Sequence, residues 1–235
     1  MRGPSLDLKS RISAKISGAR PDSVWTQADF ADLGPRHAVD KALQRLVATG
    51  GLRRIDRGLY DRPRTNPLTK KPTVADYRAV IEAVARRDKA RILIDGMTAA
   101  NDLGLSDAVS GRVAVHTDAR LKPLNLGNIT ISFRPTTVSK LYWAGRPAMR
   151  IVQALYWLSP KLVDPDQRQR ARRRITALLA DSKQGPALRR DLVDGLPTLP
   201  TWMQDFLRDL IAPKRVASNP AVRAPAARRR KASAA

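Results

Sequence analysis

The chain has no cysteine, which removes disulfides, thiolate nucleophiles and cysteine-ligated zinc from consideration. It has two histidines, His37 and His116, so a histidine-built zinc site or a Ser-His-Asp relay would have to rest on one imidazole in each half. No glycine-rich phosphate loop is present. Metal-dependent nucleases and nucleotidyltransferases need two or three carboxylates converging on magnesium, and Asp164-Pro165-Asp166 is the only Asp-x-Asp in the chain. It stands just ahead of a helical segment, where Asp164 reads as a cap; Asp95, Asp102 and Asp118 are the other acids that convergence could involve. The expectation is a protein without catalysis, cofactor or metal. No apolar run approaches the ~20 residues of a membrane span, and the N-terminal MRGPSLDLKSR lacks the apolar stretch of a secretion signal, which leads to the expectation of a cytoplasmic protein.

Acidic residues are scarce. There are 44 Lys and Arg against 21 Asp and Glu, with Glu82 the sole glutamate, for a net charge of +23. A field of that sign draws in polyanions and raises encounter rates with them. Part of the excess sits in a tail, where residues 214–235 hold seven basic residues and no acid. A GC-rich genome accounts for arginine over lysine, but not for the shortage of acids.

The most informative stretch runs from Trp25 to Pro63, WTQADFADLGPRHAVDKALQRLVATGGLRRIDRGLYDRP. At about 100° per residue, a helix over residues 35–49 puts Val39, Leu43, Leu46 and Val47 on one face and His37, Lys41, Gln44 and Arg45 on the other. Pro35 suits its first turn, and Gly50-Gly51 ends it where positive φ is needed. Thr26 caps a preceding helix to Leu33, in which Phe30 and Leu33 brace the second helix; residues 6–16 form the first. After Gly51, Leu52, Ile55, Leu59 and Tyr60 pack, while Arg53, Arg54, Arg57 and Arg62 face outward or occupy the tip of a hairpin turned at Asp56-Arg57-Gly58. Two helices, a tight turn and a basic hairpin spell a winged helix-turn-helix. Helix pairs of this kind also occur in proteins that never meet DNA; the coincidence of a basic helix face and a basic hairpin on one small unit favours duplex DNA as the partner. The candidate contact residues are Arg36, His37, Lys41, Gln44, Arg45, Arg53, Arg54 and Arg57.

Beyond the hairpin, residues 65–73 (TNPLTKKPT) read as a linker. The organisation expected is a DNA-binding unit at 1–64, the linker, an α+β domain at 74–212 and a disordered basic tail at 213–235. Within the second domain the pattern predicts a helix over 74–87 capped by Thr73, a strand at 91–95, a short helix at 98–103 stopped by Gly104, and paired strands at 112–117 and 128–134. Four helices follow, starting at Pro147, Pro165, Gly185 and Thr201; Trp202, Phe206 and Leu210 make a core stripe in the last. The helix at 165–180 carries Arg168, Arg170, Arg172, Arg173 and Arg174, open to two uses: contact with an anionic partner or, the preferred reading, a solvated face.

The RRIDRGLYDRP hairpin, followed by ILIDGMTAANDLGLS, paired strands and KLYWAGRPAMRIVQALYWL, resembles the AbiEi-type antitoxins of bacterial type IV toxin–antitoxin systems over roughly residues 6–211. The resemblance is most specific at Arg57-Gly58-Leu59-Tyr60 and at 95–105. It implies an autorepressor whose winged helix binds inverted repeats in its own promoter. It also implies a C-terminal domain that neutralises a partner toxin of nucleotidyltransferase type without a stable complex. By position, it assigns DNA contacts to His37, Lys41, Gln44 and Arg45 on the second helix and to Arg53, Arg54 and Arg57 on the wing. Two rivals stay open: a sequence-indifferent DNA or RNA binder, and a magnesium-dependent nucleic-acid enzyme.

Overall fold

A computed structural model describes residues 7–107 and 111–212, and the basic tail expected at 213–235 lies outside them. The protein is α+β, with two sheets set among eight α-helices in these residues. No helix among them is long and apolar enough to cross a membrane.

The chain opens with α1 (Leu8–Ser17), capped by the Asp7 carboxylate, which accepts from the Ser10 N–H at 2.7 Å. A two-residue strand, β1 (Val24–Trp25), leads into a single 3₁₀ turn over Gln27–Phe30. Thr26 caps that turn, and Asp29 accepts from both the Thr26 N–H and its hydroxyl. The full helix expected at 26–33 is thus only a turn, held against α1 by Lys15, which donates to the Asp29 carbonyl and to Asp32 at 2.8 Å each. α2 (Arg36–Ala48) follows as anticipated, with Pro35 one position earlier, at the cap. It buries Val39, Ala42, Leu43 and Leu46, and leaves through Gly50 at φ 72°, in the left-handed region that a side chain resists.

β2 (Arg53–Asp56) and β3 (Leu59–Asp61) make the hairpin, turned at Gly58 with φ 71°, and β1 pairs with β3 to complete an antiparallel sheet in the order β1-β3-β2. Side chains alternate across a strand, and here each face of the sheet serves a different core. Trp25 and Tyr60 pack with Ile12, Phe30, Leu43 and Leu46 of the helices, while Val24 and Leu59 join the larger core of the second half. The sheet is therefore held between the two halves. The stretch expected as a linker is closed on itself: Thr65 bridges Pro72, and the Asn66 carboxamide accepts from the Leu68 and Thr69 N–H groups.

α3 (Tyr77–Asp88) is capped by Asp76, not Thr73, whose hydroxyl accepts from the Arg64 N–H. It lies against β1 and β3. β4 (Ile92–Ile94), α4 (Gly96–Asp102), β5 (Arg112–Thr117), β6 (Leu124–Asn125) and β7 (Thr130–Pro135) follow. The second sheet has the order β4-β5-β7-β6, with β5 and β7 parallel from Arg112 opposite Thr130 to Thr117 opposite Pro135. The two expected strands do pair, but in parallel: residues 118–123 cross over so that β6, absent from the sequence reading, can pair antiparallel outside β7. α5 (Met149–Leu158), α6 (Pro165–Ala180), α7 (Gly185–Gly195) and α8 (Thr201–Ile211) close the fold. In α8 the buried residues are Met203, Phe206 and Leu207; Trp202, expected in the core stripe, is 38% exposed.

Candidate nucleic-acid interface

The outward side of α2 divides into two rows. Arg36, Asp40 and Gln44, four residues apart, line an open groove of about 1350 Å³. His37, Lys41 and Arg45, each one residue further on, are exposed and do not line it. The sequence placed these basic residues on a single face; in the structure they share one helix but address two neighbouring surfaces.

The opposite wall of the groove is the hairpin. Arg54, Asp56, Arg57 and Gly58 line it, with Arg54 and Arg57 exposed at and beside the tip. The tip is braced from behind by Arg87 of α3, which donates to the Asp56 carboxylate at 3.2 Å and to the Arg57 carbonyl at 2.7 Å. Arg87 also pairs with Asp88 at 2.8 Å. Burial works to lower the Arg87 pKa, but hydrogen bonds and charge from Asp88 and Asp56 outweigh it and raise the guanidinium above its ordinary value.

Arg53 departs from the expected site. Its guanidinium is fastened to buried Asp61, with Nε donating to Oδ1 at 2.9 Å and Nη2 to Oδ2, and its Nη1 donates to the Thr73 carbonyl at 2.8 Å. A planar fork matched to a carboxylate is a strong pair, and this one ties the hairpin to the start of the second half. Arg53 is thus turned inward, whereas Arg54, on the other face of the same strand, is free to reach the groove.

The sequence reading missed a third wall. Arg120, Leu121, Lys122 and Pro123, from the crossover between β5 and β6, and Leu124 at the start of β6 line the groove opposite the N-terminal unit. Arg120 and Lys122 are exposed, while Leu121 is half-buried against the core between them. The signal was the alternation Arg-Leu-Lys in a turn-rich segment, but a local pattern cannot say which distant wall such a segment faces.

The acids considered for metal chemistry serve separate local roles. Asp95 caps α4, accepting from the Thr98 N–H and hydroxyl and from the Ala114 N–H. Asp102 accepts from the Tyr77 hydroxyl, Arg78 and Arg150; burial first, then that carboxylate, pushes the Tyr77 phenol far above its ordinary value. Asp118 accepts from the Arg91 N–H, and Asp164 caps α6, as expected. Among the described residues no cluster of three or more His, Asp or Glu side chains is arranged to hold a metal ion. On α6, Arg168 and Arg172 lie over the Phe206 ring, Arg172 pairs with Asp209, and Arg174 donates to the Leu103 carbonyl at 2.7 Å, so three of its five arginines knit helices together.

No curated protein matches the chain. Among solved structures, the RV2827C protein from Mycobacterium tuberculosis is similar over 88% of this chain and 78% of its own, at 20% identity and a TM-score of 0.41. All three walls of the groove lie within residues 11–185, the span matched by the model of a family of unknown function, DUF6088, and to that family the chain belongs.

Proposed function

We propose that this protein is a DNA-binding transcriptional repressor that docks on duplex DNA through α2 and the β2–β3 hairpin, used as a winged helix-turn-helix. One observation carries the reading: exposed cations of α2 and of the hairpin border a single groove, with Arg36, Arg54 and Arg57 in its lining and Lys41 and Arg45 on the adjoining helix row. In helix-turn-helix proteins the second helix enters the major groove and a wing arginine reaches the flanking backbone or minor groove. The 3₁₀ turn ahead of α2 takes the place of the first helix of the pair. The net charge of +23 supplies the long-range attraction such docking uses.

The resemblance to AbiEi-type antitoxins extends the proposal to autorepression at inverted repeats in the protein's own promoter. It extends it further to neutralising a partner toxin of nucleotidyltransferase type. No catalytic step, cofactor or metal enters this account, and the place of action is the cytoplasm.

The test is a competition titration of the full chain on a labelled duplex from its own upstream region, against unrelated duplex and single-stranded RNA. The proposal expects the upstream duplex to hold its complex against roughly a thousandfold excess of unrelated DNA. Equal competition by all three would replace the repressor with a sequence-indifferent nucleic-acid binder.

A further inference from the structure

We infer that the crossover loop at 118–123 is part of the nucleic-acid interface, so that the groove between it, the hairpin and α2 holds one sugar–phosphate strand of a duplex. The inference rests on the DNA-binding reading above and adds a contact surface from the second half of the molecule. Arg36, Arg54, Arg57, Arg120 and Lys122 come from three separate elements and line one groove, and none of them has an ion-pair partner among the described residues. Two of the acids in the lining, Asp56 and Asp88, are already paired with Arg87. That leaves Asp40, at the middle of the α2 wall, as the one acidic side chain there without a described cation. A phosphate is repelled from that point and drawn toward the hairpin and the loop, where the unpaired cations are.

The loop is built to present its charges. Asp118 is held by the Arg91 N–H at 2.9 Å, the Ala119 N–H donates to the Thr117 hydroxyl at 3.2 Å, and Leu124 is buried opposite Ile131 at the start of β6. With both ends fixed and Leu121 half-buried against the core between them, Arg120 and Lys122 are held at the groove. A merely solvated charge pattern has no reason to align across a crossover that sequence distance separates from the hairpin by some sixty residues. The walls of the groove then divide the work: the hairpin and the loop face the backbone, and the outer row of α2, His37, Lys41 and Arg45, is the one positioned to meet base edges. Backbone contacts set affinity without reading sequence, whereas base contacts discriminate.

The experiment measures binding of the full chain to its upstream duplex and to an unrelated duplex of equal length, each over a salt series, for four double variants. Arg120→Ala/Lys122→Ala should weaken both duplexes alike, by roughly tenfold, and make the log–log salt slope shallower by about 2. The charge-keeping pair Arg120→Lys/Lys122→Arg should restore the slope, which separates lost charge from a damaged loop. Lys41→Ala/Arg45→Ala should instead cut the preference for the upstream duplex. A loop variant that matches the native affinity and slope, while Arg54→Ala/Arg57→Ala loses both, overturns the inference and leaves the repressor reading intact. A native chain that binds neither duplex overturns both.

Discussion

At neighbouring positions on β2, Arg53 and Arg54 carry the same guanidinium into different surroundings. Arg53 meets the buried Asp61 carboxylate and the Thr73 carbonyl; Arg54 is exposed on the groove wall. Removing the first leaves a carboxylate that is 6% exposed without its cation, and removing the second breaks only an exposed 3.4 Å bond to the Asp56 carbonyl. Arg53→Ala should therefore lower the unfolding free energy by roughly 2–3 kcal/mol, and Arg54→Ala by no more than about 0.5 kcal/mol, read as a shift of the urea midpoint at constant slope. If the two variants lose the same stability, Arg53 is not the structural member of the pair. The sequence could not separate them, because strand alternation says that adjacent residues face opposite ways but not which way holds a buried acid.

Among the elements, those with their own punctuation were legible. α2 has Pro35 before it, Gly50 after it and a clean apolar stripe; α6 has Asp164 as its cap, and both fall where the pattern puts them. β1 and β6 have two residues each, too few for an alternation to register, and both owe their existence to pairing with distant strands. The parallel pairing of β5 with β7 is likewise a long-range fact, and with it went the position of Arg120 and Lys122. Helix packing shows a related limit at α4 and α5. A Cβ placed on Gly96 would stand 2.6 Å from the Gln153 carbonyl oxygen and 2.6 Å from the Trp157 Cβ, so the two helices meet at a distance only glycine permits. Gly96→Ala should force them apart and cost about 1–3 kcal/mol in chemical denaturation, with the secondary structure retained. A neutral effect would mean that the contact between α4 and α5 is looser than described.

For the whole molecule, the arrangement of the halves matters more than either alone. The β1-β3-β2 sheet gives one face to each core, and Arg86 and Arg87 of α3 reach back to the Val24 carbonyl, Asp29, Asp56 and the Arg57 carbonyl. The hairpin is accordingly a braced wall, not a free flap, held toward α2 by Leu52 and Tyr60 in their shared core and from behind by the second half. The α+β class and most helices could be read from the chain, but the groove could not, because it exists only where three segments distant in sequence come together. Basic charge is widespread, with α6 the densest alternative among the described residues, so location is the central question. The most direct measurement follows the backbone amide resonances of the isotopically labelled full chain as its upstream duplex is added. The account predicts that the largest shifts fall within residues 36–45, 54–58 and 120–124. Shifts concentrated on 165–180, with α2 and the hairpin silent, would contradict it.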